Sequence, residues 1–277
     1  MTNFAAERRE FLEAATRPII RIIEQEYEIP QLRRERRIAA LLPHDYETSD
    51  LSYPVLYLQD GQNLFDEHAP YGNWAIDQAL SDLSAEGLGD VIVITIDHGG
   101  EERINEYSPY YHPRFGRGQG GDYLDFIKFT LKPYVDKTFR VIPDRANTGI
   151  GGSSLGGLIS LYAGFRESAI FGKMMVFSPS LWVSPKVFYQ AQSYLPDQET
   201  WLYLYAGGRE SSYHIPNVLR LKGALLKRSF DYRHLHFKLN INQEGTHSEM
   251  YWREEFPRAL KWLYFNNQPT DEAEDIK

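Results

Sequence analysis

The stretch RANTGIGGSSLGGLISLYAGF, residues 145–165, decides how the rest of the chain is read. Arg145 to Gly151 has the length and apolar content of a buried strand, and Leu155 to Phe165 places apolar residues three or four apart, which predicts a helix. Between them Gly152-Ser153-Ser154-Leu155-Gly156 matches G-x-S-x-G, the sharp strand-to-helix turn that lifts a serine above the carboxyl edge of a sheet. The glycines have a steric reason, since side chains beside such a turn would collide with the adjoining strand and helix. The rival reading is a glycine-rich turn in which Ser153 or Ser154 merely caps a helix. What surrounds the turn decides between them.

Outward from this turn the chain alternates strand and helix. Strands are predicted at Tyr53 to Gln59, Val91 to Asp97, Gly172 to Phe177, Trp201 to Ala206 and His236 to Ile241, mostly as continuous apolar runs of the kind buried on both faces. Helices are predicted at Trp74 to Ala85, Gly121 to Thr138, Pro185 to Tyr194, Tyr213 to Ser229 and Ser248 to Phe265. Such alternation demands right-handed crossovers and a mostly parallel, doubly wound sheet, whose ligands sit at the carboxyl ends of the strands. Upstream, Ile20 to Ile29 and Leu32 to Leu42 alternate as an antiparallel hairpin joined at Pro30-Gln31. On that edge hairpin Arg33, Arg34, Arg36 and Arg37 read as a solvated face that discourages aggregation. Residues 1–15 are expected to form an amphipathic helix packed on the body, and 268–277 an acidic disordered tail, leaving one domain over 1–267.

The 277 residues carry 30 Lys+Arg against 38 Asp+Glu, a formal net charge of -8, and no cysteine. The absence of cysteine excludes disulfides, thiolate metal sites and a thiol nucleophile. The negative balance argues against a nucleic-acid or anionic-membrane binder, and no apolar run approaches the ~20 residues of a membrane helix. No signal-peptide core interrupts the charged opening residues, so a cytoplasmic address is expected.

A serine hydroxyl needs a base within hydrogen-bond reach and a third group to orient that base. In this architecture the acid follows a later strand and the histidine follows the last one. Glu210 lies just beyond the strand that ends at Ala206, and His247 follows the strand that ends at Ile241, so the order Ser154, Glu210, His247 is satisfied. Asp197 and Asp231 fall at the wrong end of the sheet, and Glu244 shares a loop with His247. His214, His234 and His236 are read as structural. A bare His-x-His is a weak zinc signal, and neither a metal nor another cofactor is expected. Oxyanion donors are expected from the amides of Leu155 and of the Gly61-Gln62 turn, with Gln62 the preferred second donor. His98, which ends a strand on the functional rim, is a candidate substrate contact.

With these residues in place the chain resembles the esterase family of the α/β-hydrolase superfamily that includes esterase D, enterochelin-type siderophore esterases, feruloyl and acetyl-xylan esterases and the antigen 85 mycolyltransferases. The resemblance spans roughly Leu32 to Phe265. It rests on residues 53–65 (YPVLYLQDGQNLF), 103–109 (RINEYSP), 151–157 (GGSSLGG) and 245–249 (GTHSE). It implies an α/β-hydrolase fold, a Ser154 nucleophile, a His247 base, a Glu210 acid where many relatives carry aspartate, and an oxyanion hole at Leu155 and Gly61-Gln62. The shortness of Ser178 to Ser184, where other hydrolases often insert a lid, implies an open site without a large lid domain. The implied activity is carboxylic-ester hydrolysis through an acyl-enzyme, on a small-molecule ester with a sugar, aromatic acyl or siderophore group. The alternatives are acyl transfer by the same triad and a non-catalytic binding protein with an idle triad. A metal-dependent phosphoesterase built on Asp60, Asp97 and His98 is a third. The long segment His98 to Gly120, rich in Tyr, Pro, Gly and Arg, emerges on the functional rim. Tyr107 is a candidate substrate clasp there, with Arg103 or Arg114 meeting an anion, and Trp74 and Trp182 are candidate pocket walls.

Overall fold

Every residue of β3 (Val55–Gln59) is buried because its side chains alternate between two cores, Val55 and Tyr57 entering one and Leu56 and Leu58 the other. Burial on both faces is why such a strand reads as a continuous apolar run and not as an alternating one. β4 (Ile92–Ile96), β5 (Thr148–Ser153) and β6 (Lys173–Phe177) are buried throughout, and β7 (Thr200–Gly207) at all but Trp201. β1 (Ile19–Ile29), β2 (Arg34–Leu42) and β8 (Leu235–Asn242) complete the set. The computed structural model, which describes residues 16–69, 72–227 and 234–265, arranges these strands in one sheet of order β1-β2-β4-β3-β5-β6-β7-β8. β1/β2 and β2/β4 are antiparallel; from β4 to β8 every neighbour is parallel. The N-terminal hairpin therefore caps one edge of a parallel sheet, as the alternation of its residues predicts. The helix expected at 1–15, the end of the helix expected to reach Ser229 and the tail at 268–277 lie outside the described residues.

One core forms on the face covered by α3 (Gly120–Phe126), α5 (Leu155–Arg166), α6 (Val187–Ser193) and α7 (His214–Leu226), and includes Tyr57, Ile94, Phe126, Leu158 and Leu221. The other lies under α1 (Ile76–Ala85) and α8 (Glu249–Leu260), with Leu58, Ile76, Phe177, Trp252 and Phe256. The helix predicted over 121–138 is one continuous run from α3 through a π turn at Ile127–Leu131 into α4 (Lys132–Thr138). α8 likewise contains Pro257 and leads into a π turn at Lys261–Phe265. β8 differs from the inner strands: it forms the far edge of the sheet, and seven of its eight residues are only half-buried.

The hairpin arginines correct the sequence reading. Alternation places them outward, but a short helix, α2 (Arg103–Glu106), covers that face. Arg36 is 6% exposed and grips the fully buried Glu106 with two hydrogen bonds of 2.7 and 2.8 Å. Arg34 joins the same carboxylate and also pairs with Glu102, while Arg37 bridges Asp66 and Asp97. Burial alone would push the Glu106 carboxyl up, yet the bonds from Arg36 and Arg34 hold it below its ordinary range. Arg33 alone is exposed as expected; Arg34, Arg36 and Arg37 instead fasten loops at the carboxyl rim to the hairpin.

Candidate active site

β5 ends at Ser153, and Ser154 takes φ 58° and ψ -120° before α5 begins at Leu155. The turn is fastened from two sides: Ser154 N–H donates to the Phe177 carbonyl at 2.9 Å, and Ser180 N–H donates to the Ser154 carbonyl at 2.9 Å. A Cβ on Gly152 would stand 2.9 Å from the backbone carbon of Gly156, so only glycine lets the strand and helix approach this closely. The Ser154 hydroxyl lies 3.2 Å from the Ser180 hydroxyl, its hydrogen-bond partner.

Beyond β7, the Glu210 side chain is 3% exposed and its two oxygens are fully engaged. Oε1 accepts from the Ser178 hydroxyl at 2.5 Å and from the Gly207 N–H at 2.7 Å, and Oε2 stands 2.7 Å from His247 Nδ1. Burial pushes this carboxyl up, but the bonds from His247 and Ser178 outweigh it and keep the group below its ordinary range. An ionised carboxylate only accepts, so the proton of that bond sits on His247 Nδ1. Trp252 packs its ring edge-on to His247 at 4.9 Å and donates its indole N–H to Ser178 Oγ at 3.0 Å. Ser178 is itself held at φ 44°.

Ser154 and His247 face one cavity of about 650 Å³. Its wall combines Pro179, Leu181 and Trp182 from the loop after β6 with Ser211, Tyr213, His214 and Asn217 from the start of α7. His214 Nε2 lies 3.3 Å from Glu210 Oε2, and its pKa is lowered, chiefly by burial.

The turn after β3 sits against the first turn of α5. Asp60 adopts a left-handed conformation and Gly61–Asn63 form a single 3-10 turn. A Cβ on Gly156 would lie 2.8 Å from Asp60 Oδ2, and one on Gly61 would lie 2.4 Å from Asp97 Oδ1. The amides of Gly61 and Gln62, like that of Leu155, are the leading N–H groups of their helical turns, which have no acceptor within the turn. The Gln62 side chain receives His98 N–H at 2.9 Å, which ties this turn to the end of β4.

The remaining candidates divide. Trp182 lines the cavity, is 58% exposed, and meets Phe115 edge to face at 6.1 Å, so the 98–120 segment reaches the rim through Phe115. Tyr107 does not: it is wholly buried against Tyr123, with its ring face beneath Arg103. Trp74 is 2% exposed and stacked on Phe177, so it is core behind Trp252 and not a cavity wall. Arg103 is engaged by Asp60 through bonds of 2.6 and 2.8 Å from Nε and Nη2, which matches its charge within the protein. His98 accepts from Gly100 N–H at 3.0 Å, and burial lowers its pKa. Asp97, the other member of the supposed phosphoesterase set, is bound by Arg37. Among the described residues only His44, Asp45 and Asp90 bring ligand atoms within 4.8 Å of one another, at the opposite end of the sheet from the cavity. Ser178, Ser180 and His214 are the site residues that sequence reasoning did not select.

No helix among the described residues is long and apolar enough to cross a membrane. The family model described as "Putative esterase" matches residues 29–263. A Bacillus subtilis (strain 168) protein, YbbA, itself uncharacterized, is 28% identical over 249 residues, covering 85% of this chain and 95% of its own. Among solved structures, BES protein from Bacillus cereus superposes with a TM-score of 0.72 at 21% identity, over 88% of this chain and 94% of that one. An IroE-like serine hydrolase from Shewanella oneidensis gives 0.71 at 23% identity, over 88% and 79%.

Proposed function

The chain belongs to the Putative esterase family and is an esterase, and on that premise we propose that it hydrolyses small carboxylic esters through an acyl-enzyme formed on Ser154. The observation that carries the reading is the Glu210–His247 pair, which opens onto the same cavity as Ser154. The scheme requires the Ser154 hydroxyl to exchange its Ser180 contact for one with His247 Nε2. The hydroxyl oxygen then attacks the ester carbonyl while its proton passes to Nε2, and Glu210 stabilises the imidazolium that forms. The developing oxyanion is met by the amides of Leu155 and Gln62, with Gly61 beside them; each such donor is worth about 10²–10³ in rate. Collapse expels the alcohol, which takes the proton from Nε2. Water repeats the cycle on the acyl-enzyme and releases the acid.

Arg103 and Asp60 serve this scheme from outside. Their ion pair holds the oxyanion turn against α5, so that both donors point at one place without reorganising during the reaction. A lining that combines Leu181 and Trp182 with Asn217 and Ser211 suits an ester with an apolar part and a hydrogen-bonding part.

The deciding experiment is the intact mass of the protein after incubation with a fluorophosphonate. A single adduct on the wild type, absent from Ser154→Ala, is the expected result. No adduct on folded wild-type protein would overturn the reading.

A further inference from the structure

We infer that this site discriminates among esters by charge, admitting neutral and cationic substrates and rejecting anionic ones. The inference rests on the esterase reading above and adds the substrate class. It starts from the cavity wall, where no lysine or arginine occurs among the described residues and the fixed charge is the Glu210 carboxylate. Glu249, at the start of α8, adds a second carboxylate in electrostatic contact with His247 and Asp60. The arginines adjoining the site are already matched by acids, Arg103 by Asp60 and Arg209 by Glu244. Two further cations near the rim lie on rings outside the cavity, Arg114 over Phe115 and Lys186 over Tyr110.

The mouth itself presents π surface. Trp182 is 58% exposed and Tyr213 is 75% exposed, and both line the cavity. Ring faces attract cations and apolar groups and offer nothing to a carboxylate. A substrate anion would therefore enter a concavity whose fixed charge has its own sign, in a chain of net charge -8, and the cleft walls would concentrate that field. At an effective dielectric of about 20, an anionic end about 10 Å from one uncompensated carboxylate is disfavoured roughly tenfold.

Three fluorophosphonates with one warhead and one chain length test this, ending in trimethylammonium, tert-butyl or carboxylate. In each, the Ser154 Oγ–P bond forms as the P–F bond breaks; fluoride leaves and the serine proton passes to His247. The rate of adduct formation, read by intact mass, is expected to be at least about tenfold lower for the carboxylate than for the other two at low ionic strength. The gap is expected to narrow with added salt. Trp182→Arg, at an exposed position, is expected to raise the carboxylate rate, while Arg114→Ala and Lys186→Ala leave it unchanged. A carboxylate probe as fast as the neutral one, or one whose labelling depends on Arg114 or Lys186, overturns the inference but leaves the esterase reading standing. Failure of all three probes to label folded wild-type protein removes both.

Discussion

The two halves of the carboxyl rim solve opposite problems. On the side of β5 to β8, neutral donors hold a charge: Ser178, Gly207 and His247 surround the Glu210 carboxylate. On the side of β2 to β4, charges hold neutral groups: Arg103–Asp60, Arg37–Asp97 and Arg36–Glu106 cancel in pairs and so fix a turn whose backbone amides are the proposed oxyanion donors. The difference teaches where electrostatic freedom remains. Glu210, the group proposed to stabilise an imidazolium, is kept ionised and is not given a permanent counter-ion. A group that must only stay in place is neutralised completely.

The sharpest way to break this contrast is to remove the chemistry from the first half. His247→Ala is expected to lower kcat on the order of 10⁶-fold and Glu210→Gln about 10⁴-fold, both with an unchanged circular dichroism spectrum. Glu210→Gln with wild-type turnover would show that no carboxylate is needed there. In the second half the same kind of substitution should strike stability first. Glu106→Leu leaves Arg36 buried without its partner and is expected to cost about 3–5 kcal/mol in urea unfolding, with the double variant Arg36→Met/Glu106→Leu recovering most of it. A single variant as stable as the wild type would mean that the pair is not what fastens α2.

The smallest effect sharpens the comparison within the first half. Glu210 has a folded pKa below its ordinary value, so its contribution to stability is present above the unfolded carboxylate pKa and is lost as pH falls through the folded one. Ser178→Ala removes one of the donors responsible. The variant is expected to be about 1 kcal/mol less stable than the wild type near pH 6, with the difference shrinking toward pH 3. A difference that stays constant with pH would make Ser178 a packing residue only.

Most strand and helix positions were legible because an inner parallel strand is apolar throughout. Val91 to Asp97 and Gly172 to Phe177 match the observed strands to within a residue at each end. That Ser154, Glu210 and His247 line one cavity was legible for a related reason, since each residue follows the carboxyl end of a strand. What could not be read was anything that depends on two segments meeting. Arg36 looks exposed on an alternating strand, and only the docking of α2 makes it interior. Tyr107 sits in an aromatic loop that looks like a clasp, but Arg103 and Tyr123 enclose it. Ser178 and Ser180 lie in a segment whose place after β6 was a usable signal. Their tie to Glu210 and Ser154 follows from strand neighbours that the chain order does not state.

Asp60, Ser154 and Ser178 are non-glycine residues at φ 60°, 58° and 44°, all on this rim. Such backbone is adopted by L-residues at a cost of order 1–3 kcal/mol each, and glycine would relieve it. Heat is therefore a misleading criterion for improving this protein in the laboratory. Asp60 and Ser178 hold Arg103 and Glu210 through their side chains, but at Ser154 a library screened only for surviving folded material would enrich glycine and, on the proposed mechanism, deliver hardier chains with no turnover. Any directed evolution of thermal tolerance here has to score product formation in every round.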